Sequence, residues 1–243
     1  SGQPEPALAS ASNLVSLARV TAQPLFLAQS VALQAGALEE LGRLESVAAV
    51  YTLNLAPEVP ADLQREALLK IAELALVRGR LAEAAQLLAS YLERHADGPA
   101  ADLALFSLGE LQLKQHVAAL SGTTTNVAPT NLLQAALTNF DALLLRFPQS
   151  ALLGQAQLQR GWCFWLTTNL SESATAFAAA AEALPPSFEQ AVARFKLADA
   201  LYQLKQFGAA ISNYQAVVAG CETQPAVRTN LCEPALYQLV RVA

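Results

Sequence analysis

The chain has 243 residues, 53% hydrophobic and only 14% charged, with a net charge of −5. No basic run exceeds two residues and no uncharged apolar run reaches transmembrane length, which argues against nucleic acid as a partner and against direct membrane insertion. A composition rich in Ala, Leu and Gln points to an all-α protein, long enough for one elongated domain or two compact ones.

So little charge leaves part of an extended helical surface apolar, which usually marks a partner. Methionine is absent, Ser1-Gly2 reads as a cloning or protease scar, and Ala243 falls inside an expected helix. The chain is therefore read as a segment of a longer protein.

In chain order, residues 1–22 are expected to hold one helix, Pro4–Val20, the second half of a truncated repeat. Residues 23–221 divide into five helix hairpins. Gln23–Pro57 is the first, with Pro24 starting its first helix. Pro60–Asp97 is the second, with Asp62 capping a helix that runs to Val77. Gly98–Pro148 is the third, interrupted by an insertion at 117–130. Its segment Gly122–Thr130 opposes helix and is expected to be a long turn. Gln149–Pro186 is the fourth and Ser187–Gly220 the fifth. Over 222–243, Glu222–Asn230 is expected as a loop and Glu233–Ala243 as the start of a truncated hairpin.

The division rests on a grid of small and large residues. Val47/Tyr51, Ala84/Leu88, Ala136/Phe140, Ser173/Phe177 and Ala210/Tyr214 are spaced by 37, 52, 37 and 37 residues. The long interval is one period plus the insertion. Twelve residues before four of these small anchors lies another small residue: Ala35, Ala72, Gly161 and Ala198. Small residues at both places let paired helices approach closely, and the large ones fill the space between hairpins. Gly42-Arg43-Leu44 and Gly79-Arg80-Leu81 each open a second helix.

This grid resembles the tetratricopeptide repeat over roughly Pro24–Gly220. The resemblance implies a right-handed superhelical solenoid of antiparallel helix hairpins. The departures are a period of 37 against the family's roughly 34, no Trp near the start of the first helix, and Val47 and Ser173 where Ala is commoner. In that family the first helices line a concave groove. Counted back from the anchors, its positions fall on Phe106 and Glu110, on Trp162 and Trp165, and on Phe195, Asp199 and Tyr202. The resemblance thus implies an apolar, aromatic groove for a segment of another protein, with Glu73, Glu110 and Asp199 receiving its Lys or Arg. If Trp162 and Trp165 line it, alanine at both should abolish binding and leave melting nearly unchanged. The alternative is that the tryptophans are core.

Nothing in the sequence argues for catalysis, a cofactor or a metal. His95 and His116 lack a second ligand at helical spacing and read as helix-end residues. Glu39 and Glu40 diverge on one helix. Cys163 reads as a small buried apolar residue. Cys221 and Cys232 bracket a short connection. As a disulfide they would staple consecutive helices, worth about 3 kcal/mol, and imply an oxidising compartment. As free thiols they imply neither.

Arg146-Phe147-Pro148-Gln149-Ser150, with Ala151, Ala156 and Gly161, is similar to the repeat junctions of bacterial cell-envelope tetratricopeptide proteins. That similarity covers about one repeat and implies a periplasmic or otherwise exported scaffold; the alternative is cytoplasmic. The reading is a protein–protein interaction scaffold, not an enzyme. The alternatives are the helical accessory region of a larger cell-envelope enzyme, or a structural arm of a large assembly.

Overall fold

The computed structural model describes residues 4–21, 23–120 and 129–242, and every regular element among them is helical. The fold is all-α and built from helix hairpins. It divides into two compact units, residues 1–125 and 126–243.

The first unit contains α1 (Pro4–Thr21), α2 (Pro24–Glu40), α3 (Leu44–Tyr51), α4 (Ala61–Arg78), α5 (Leu81–Arg94) and α6 (Ala101–Leu120). A single 3-10 turn, Thr52–Leu55, prolongs α3. Consecutive helices pack on each other, and α4 also packs on α6. Arg65 of α4 and Asp102 of α6 pair at 2.5 Å, and Arg65 also donates to the Pro99 carbonyl at 3.2 Å.

The second unit contains α7 (Pro129–Arg146), α8 (Leu153–Leu166), α9 (Leu170–Ala183), α10 (Phe188–Gln203), α11 (Phe207–Gly220), α12 (Pro225–Asn230) and α13 (Cys232–Val242). Helix α8 packs on α7 and α9, α10 on α9 and α11, and α13 on α11.

The small-and-large grid is buried. Val47, Ala84, Ala136, Ser173 and Ala210 are inside, and so are Tyr51, Leu88, Phe140, Phe177 and Tyr214. Helices α8 and α9 approach closely at Gly161. A Cβ built on Gly161 would lie 2.5 Å from the Phe177 ring, so only glycine lets the two helices meet there. Serine suits position 173 because its hydroxyl donates to the Gly161 carbonyl at 3.0 Å inside the core. That bond satisfies a polar group that burial would otherwise penalise.

Four hairpin turns use one backbone device. Gly42, Gly79, Thr168 and Lys205 all take positive φ, between 57° and 68°. After each, the next amide reaches back to a carbonyl five residues earlier: Arg43 to Leu38, Arg80 to Ala75, Asn169 to Phe164 and Gln206 to Leu201. This bond closes the helix end, and the left-handed residue that permits it favours glycine. Lys205→Gly is expected to stabilise the chain by about 1 kcal/mol by removing the Cβ penalty there. Denaturant titration of both forms checks it; an unchanged or lower midpoint would contradict it.

A second device joins neighbouring hairpins. Gln64 lies buried on α4 and donates to the carbonyls of Ala56 at 3.1 Å and Val59 at 2.8 Å. Gln190 on α10 does the same to Ala181 at 3.0 Å and Leu184 at 2.8 Å. Each amide satisfies carbonyls that a helix end or turn leaves without an intrahelical donor.

Several expectations need correction. Asp62 does not cap α4: Pro60 holds that position and Asp62 sits in the first turn without a capping bond. Residues 222–230 are not all loop, because Pro225 starts α12, a geometry its fixed φ suits. Arg228 ties that turn to the carbonyls of Cys221 and Glu222, each at 2.9 Å. His95 does stand at a helix end, but His116 is buried within α6. In the insertion, residues 117–120 continue α6 and Pro129 opens α7. The expected turn at 122–128 lies outside the described residues.

Candidate functional site

Helix α8 carries Trp162 and Trp165 three residues apart, so both indoles rise from one face. Each is half-buried against the core formed by α8, α9 and α10. Trp162 meets the Phe177 ring of α9 edge-on, with centroids 5.7 Å apart and planes at 86°. Such a contact is worth about 0.5–1.5 kcal/mol beyond area burial. Replacing Trp162 by alanine will therefore cost stability as well as surface, contrary to the expectation of unchanged melting.

The group that organises this face is Lys196 of α10, which the sequence reading passed over. Its Nζ lies 5.3 Å from the Trp162 ring centroid, 5.2 Å from that of Trp165 and 5.4 Å from that of Phe195. It also pairs with the Asp199 carboxylate at 2.8 Å, one turn along α10. The other carboxylate oxygen accepts the Tyr214 hydroxyl at 2.6 Å. A cation between two indoles is held by their quadrupoles, by about 0.5–2 kcal/mol per contact according to its desolvation. Tyr214 is fully buried on α11. Burial, then the bond to Asp199 and its charge, raise its hydroxyl well above the usual tyrosine range. It stays a neutral donor and fixes Asp199, which in turn fixes Lys196.

Two sequence assignments change here. Asp199 already uses both oxygens within the chain, so it positions Lys196 and does not await a cation from a partner. Phe195 is core: it is buried and meets Tyr214 at 5.5 Å. Tyr202 remains half-buried beside Phe207 at 5.6 Å, with the Arg241 guanidinium 5.5 Å from its ring. Phe106 and Glu110 belong to α6 of the first unit, where Phe106 is buried and Glu110 half-buried. Glu73, also in that unit, pairs with Lys70 at 3.3 Å. The i, i+3 spacing of Lys196 and Asp199 was a legible sign of an ion pair. Nothing in the sequence put that pair beside the tryptophans.

Cys221 and Cys232 are joined as a disulfide, with Cα atoms 6.1 Å apart. It ties the end of α11 to the start of α13. Cys163 is free and fully buried in α8. Burial, above all, pushes its thiol from 9.0 up to about 12. The unfolded chain therefore loses this proton first, and the stabilisation present below pH about 9 is lost as pH rises towards 12. At pH 8 the native chain should resist alkylation by iodoacetamide, and urea should expose one thiol. Rapid labelling of the native chain would contradict this burial.

Among the described residues no cluster of His, Cys, Asp and Glu can hold a metal ion, and no helix is long and apolar enough to cross a membrane.

The tetratricopeptide-repeat family model matches residues 66–98, which cover most of α4 and α5. A thermophilic tetratricopeptide protein of Thermus thermophilus, TTC0263, superposes with a TM-score of 0.56. It is 18% identical, over 86% of this chain and 99% of that one. The chain has the fold of tetratricopeptide-repeat proteins, and one stretch of it matches their family model. YrrB, solved as a tetratricopeptide protein with an unusual peptide-binding site, superposes with a TM-score of 0.53 at 16% identity, over 82% and 89% of the two chains. The human IFIT1 dimer, solved with m7Gppp-AAAA, superposes at 0.54 and 14% identity, over 88% of this chain and 46% of that one. The fold by itself thus does not exclude nucleic acid; only the acidic charge of the chain weighs against it. No protein of curated function matches this chain.

Proposed function

We propose that this tetratricopeptide chain is a protein-interaction scaffold whose α8 face holds an apolar segment of another protein. The observation that carries the reading is the half-buried pair Trp162 and Trp165, set around a lysine that Asp199 already neutralises. Rigid aromatic anchors dominate many interfaces, and these are fixed before any partner arrives. A partner carboxylate competes poorly with Asp199 for Lys196, so apolar and aromatic side chains are the complementary chemistry. The peptide-binding site of YrrB supports the reading by likeness of fold.

The setting we propose is a periplasmic or otherwise exported one. It is supported by the Cys221–Cys232 pairing, which an oxidising compartment maintains, and by the envelope-like junction at Phe147–Ser150.

The test of binding uses Trp165→Ala, since Trp162 also leans on Phe177. In affinity capture from the native source, a protein held by the unaltered chain and lost by roughly tenfold or more with Trp165→Ala supports the reading. Equal capture by both, or none by either, would overturn it. Trapping thiols with an alkylating reagent before lysis tests the setting. Alkylation of both Cys221 and Cys232 would overturn an oxidising compartment.

A further inference from the structure

A cavity of about 910 Å³ lies wholly within the first unit. It opens between the α1–α2 junction, the 3-10 turn with its following loop, and the end of α5. It is formed at helix ends, not along the faces of first helices. Leu27, Leu55 and Leu87 supply apolar lining.

Its charge runs against that of the chain. Arg19, Arg94 and His95 face it with one carboxylate, Glu58. In this unit Arg43, Arg65 and Arg80 each pair with a carboxylate. Arg19, Arg78 and Arg94 have no carboxylate partner among the described residues, and two of the three, Arg19 and Arg94, face this cavity. Two unpaired guanidiniums in one concavity of an otherwise acidic chain form a local positive field.

The walls are set before a ligand arrives. The loop wall of Ala56, Pro57 and Glu58 is pinned by Gln64, which donates to the Ala56 and Val59 carbonyls. Gln64 is in turn fixed by the buried Tyr91 hydroxyl at 2.9 Å. On the opposite wall Arg94 donates from Nε to the Ser90 carbonyl at 3.0 Å, which leaves both terminal nitrogens for a carboxylate. Preformed walls reduce the ordering cost of binding.

We infer that this cavity binds a short acidic peptide segment of a partner protein, with carboxylates on Arg19 and Arg94 and leucine-like side chains on the apolar lining. A segment suits it better than an enclosed small molecule. The volume is near the top of the usual range for small-molecule sites, and Arg19, Glu58 and Arg94 are exposed.

The test uses a panel of short fluorescent N-acetylated peptides alternating leucine with glutamate or aspartate, each beside its amide isostere, with fluorescence anisotropy as readout. The acidic probes should bind the intact chain, and more weakly as salt rises. The isosteres, and Arg19→Gln/Arg94→Gln, should each weaken binding roughly tenfold or more. Trp165→Ala should leave this binding unchanged, which keeps its outcome separate from that of the α8 face. Circular dichroism of the double variant should match the parent, since neither arginine supports the core. No binding by any acidic probe, equal binding of the isosteres, or full binding by the double variant would overturn the inference.

Discussion

Phe177→Ala is expected to lower the unfolding free energy by about 3–5 kcal/mol, the range for removing a buried aromatic side chain. Phe177 is fully buried and contributes to the core shared by α8, α9 and α10. It also supports Trp162 edge-on, so its loss will shift Trp162 fluorescence. At a few degrees per kcal/mol, the melting midpoint should fall by about 10 °C. The complementary change, Gly161→Ala, adds one methyl where the ring already sits 2.5 Å from the Cβ position. Overpacking of this kind costs about 1–3 kcal/mol. A smaller ring-free residue should relieve it. Gly161→Ala with Phe177→Leu is expected to cost less than the sum of the single changes, which a double-mutant cycle measures. Simple additivity would show that α8 and α9 do not meet at this point.

Gln64→Ala is expected to destabilise the first unit by about 2–4 kcal/mol, a large effect for a polar residue. Three bonds vanish together: those to the Ala56 and Val59 carbonyls and the one from the Tyr91 hydroxyl. Ala56 keeps a donor in the Val59 amide at 3.0 Å. The Val59 carbonyl and the Tyr91 hydroxyl are left buried without those partners, and such groups cost more than a formed bond gains. Tyr91→Phe removes only the hydroxyl and leaves Gln64 bonded to both carbonyls. It should cost about 0.5–1.5 kcal/mol. The ratio of the two effects in denaturant titration is the diagnostic. Equal small losses would mean that water satisfies this site. If Gln64→Ala also abolished acidic-peptide binding at the neighbouring cavity, loop pinning and binding would be one device.

The sequence by itself carried the repeat. The spacing of Ser173/Phe177 and Ala210/Tyr214, with Gly161 and Ala198 twelve residues earlier, was enough to read helix hairpins. Contacts inside a hairpin join residues a fixed distance apart, so periodicity records them. Gly42 and Gly79 were legible for the same reason, being the turn between paired helices. Thr168 and Lys205 fill the same turn but were hidden, because the backbone geometry is kept there without the residue that announces it.

Only the tertiary structure decided the rest. Counting positions placed Phe195 and Asp199 on a groove, but burial beneath Tyr214 made one core and its hydroxyl bond made the other a support for Lys196. Trp162 and Trp165 proved neither wholly free nor wholly core, because α9 covers Trp162 from one side. Lys196 and the cavity with Arg19 and Arg94 had no periodic signature at all, whereas Gln64 has a counterpart in Gln190, each twenty residues before its small anchor. Lys196 meets indoles of another hairpin at 5.2 and 5.3 Å, and a helix rotated by one residue, about 100°, would carry them apart. A repeat pattern fixes which face of a helix is buried; the packing of one hairpin on the next fixes which particular side chains meet.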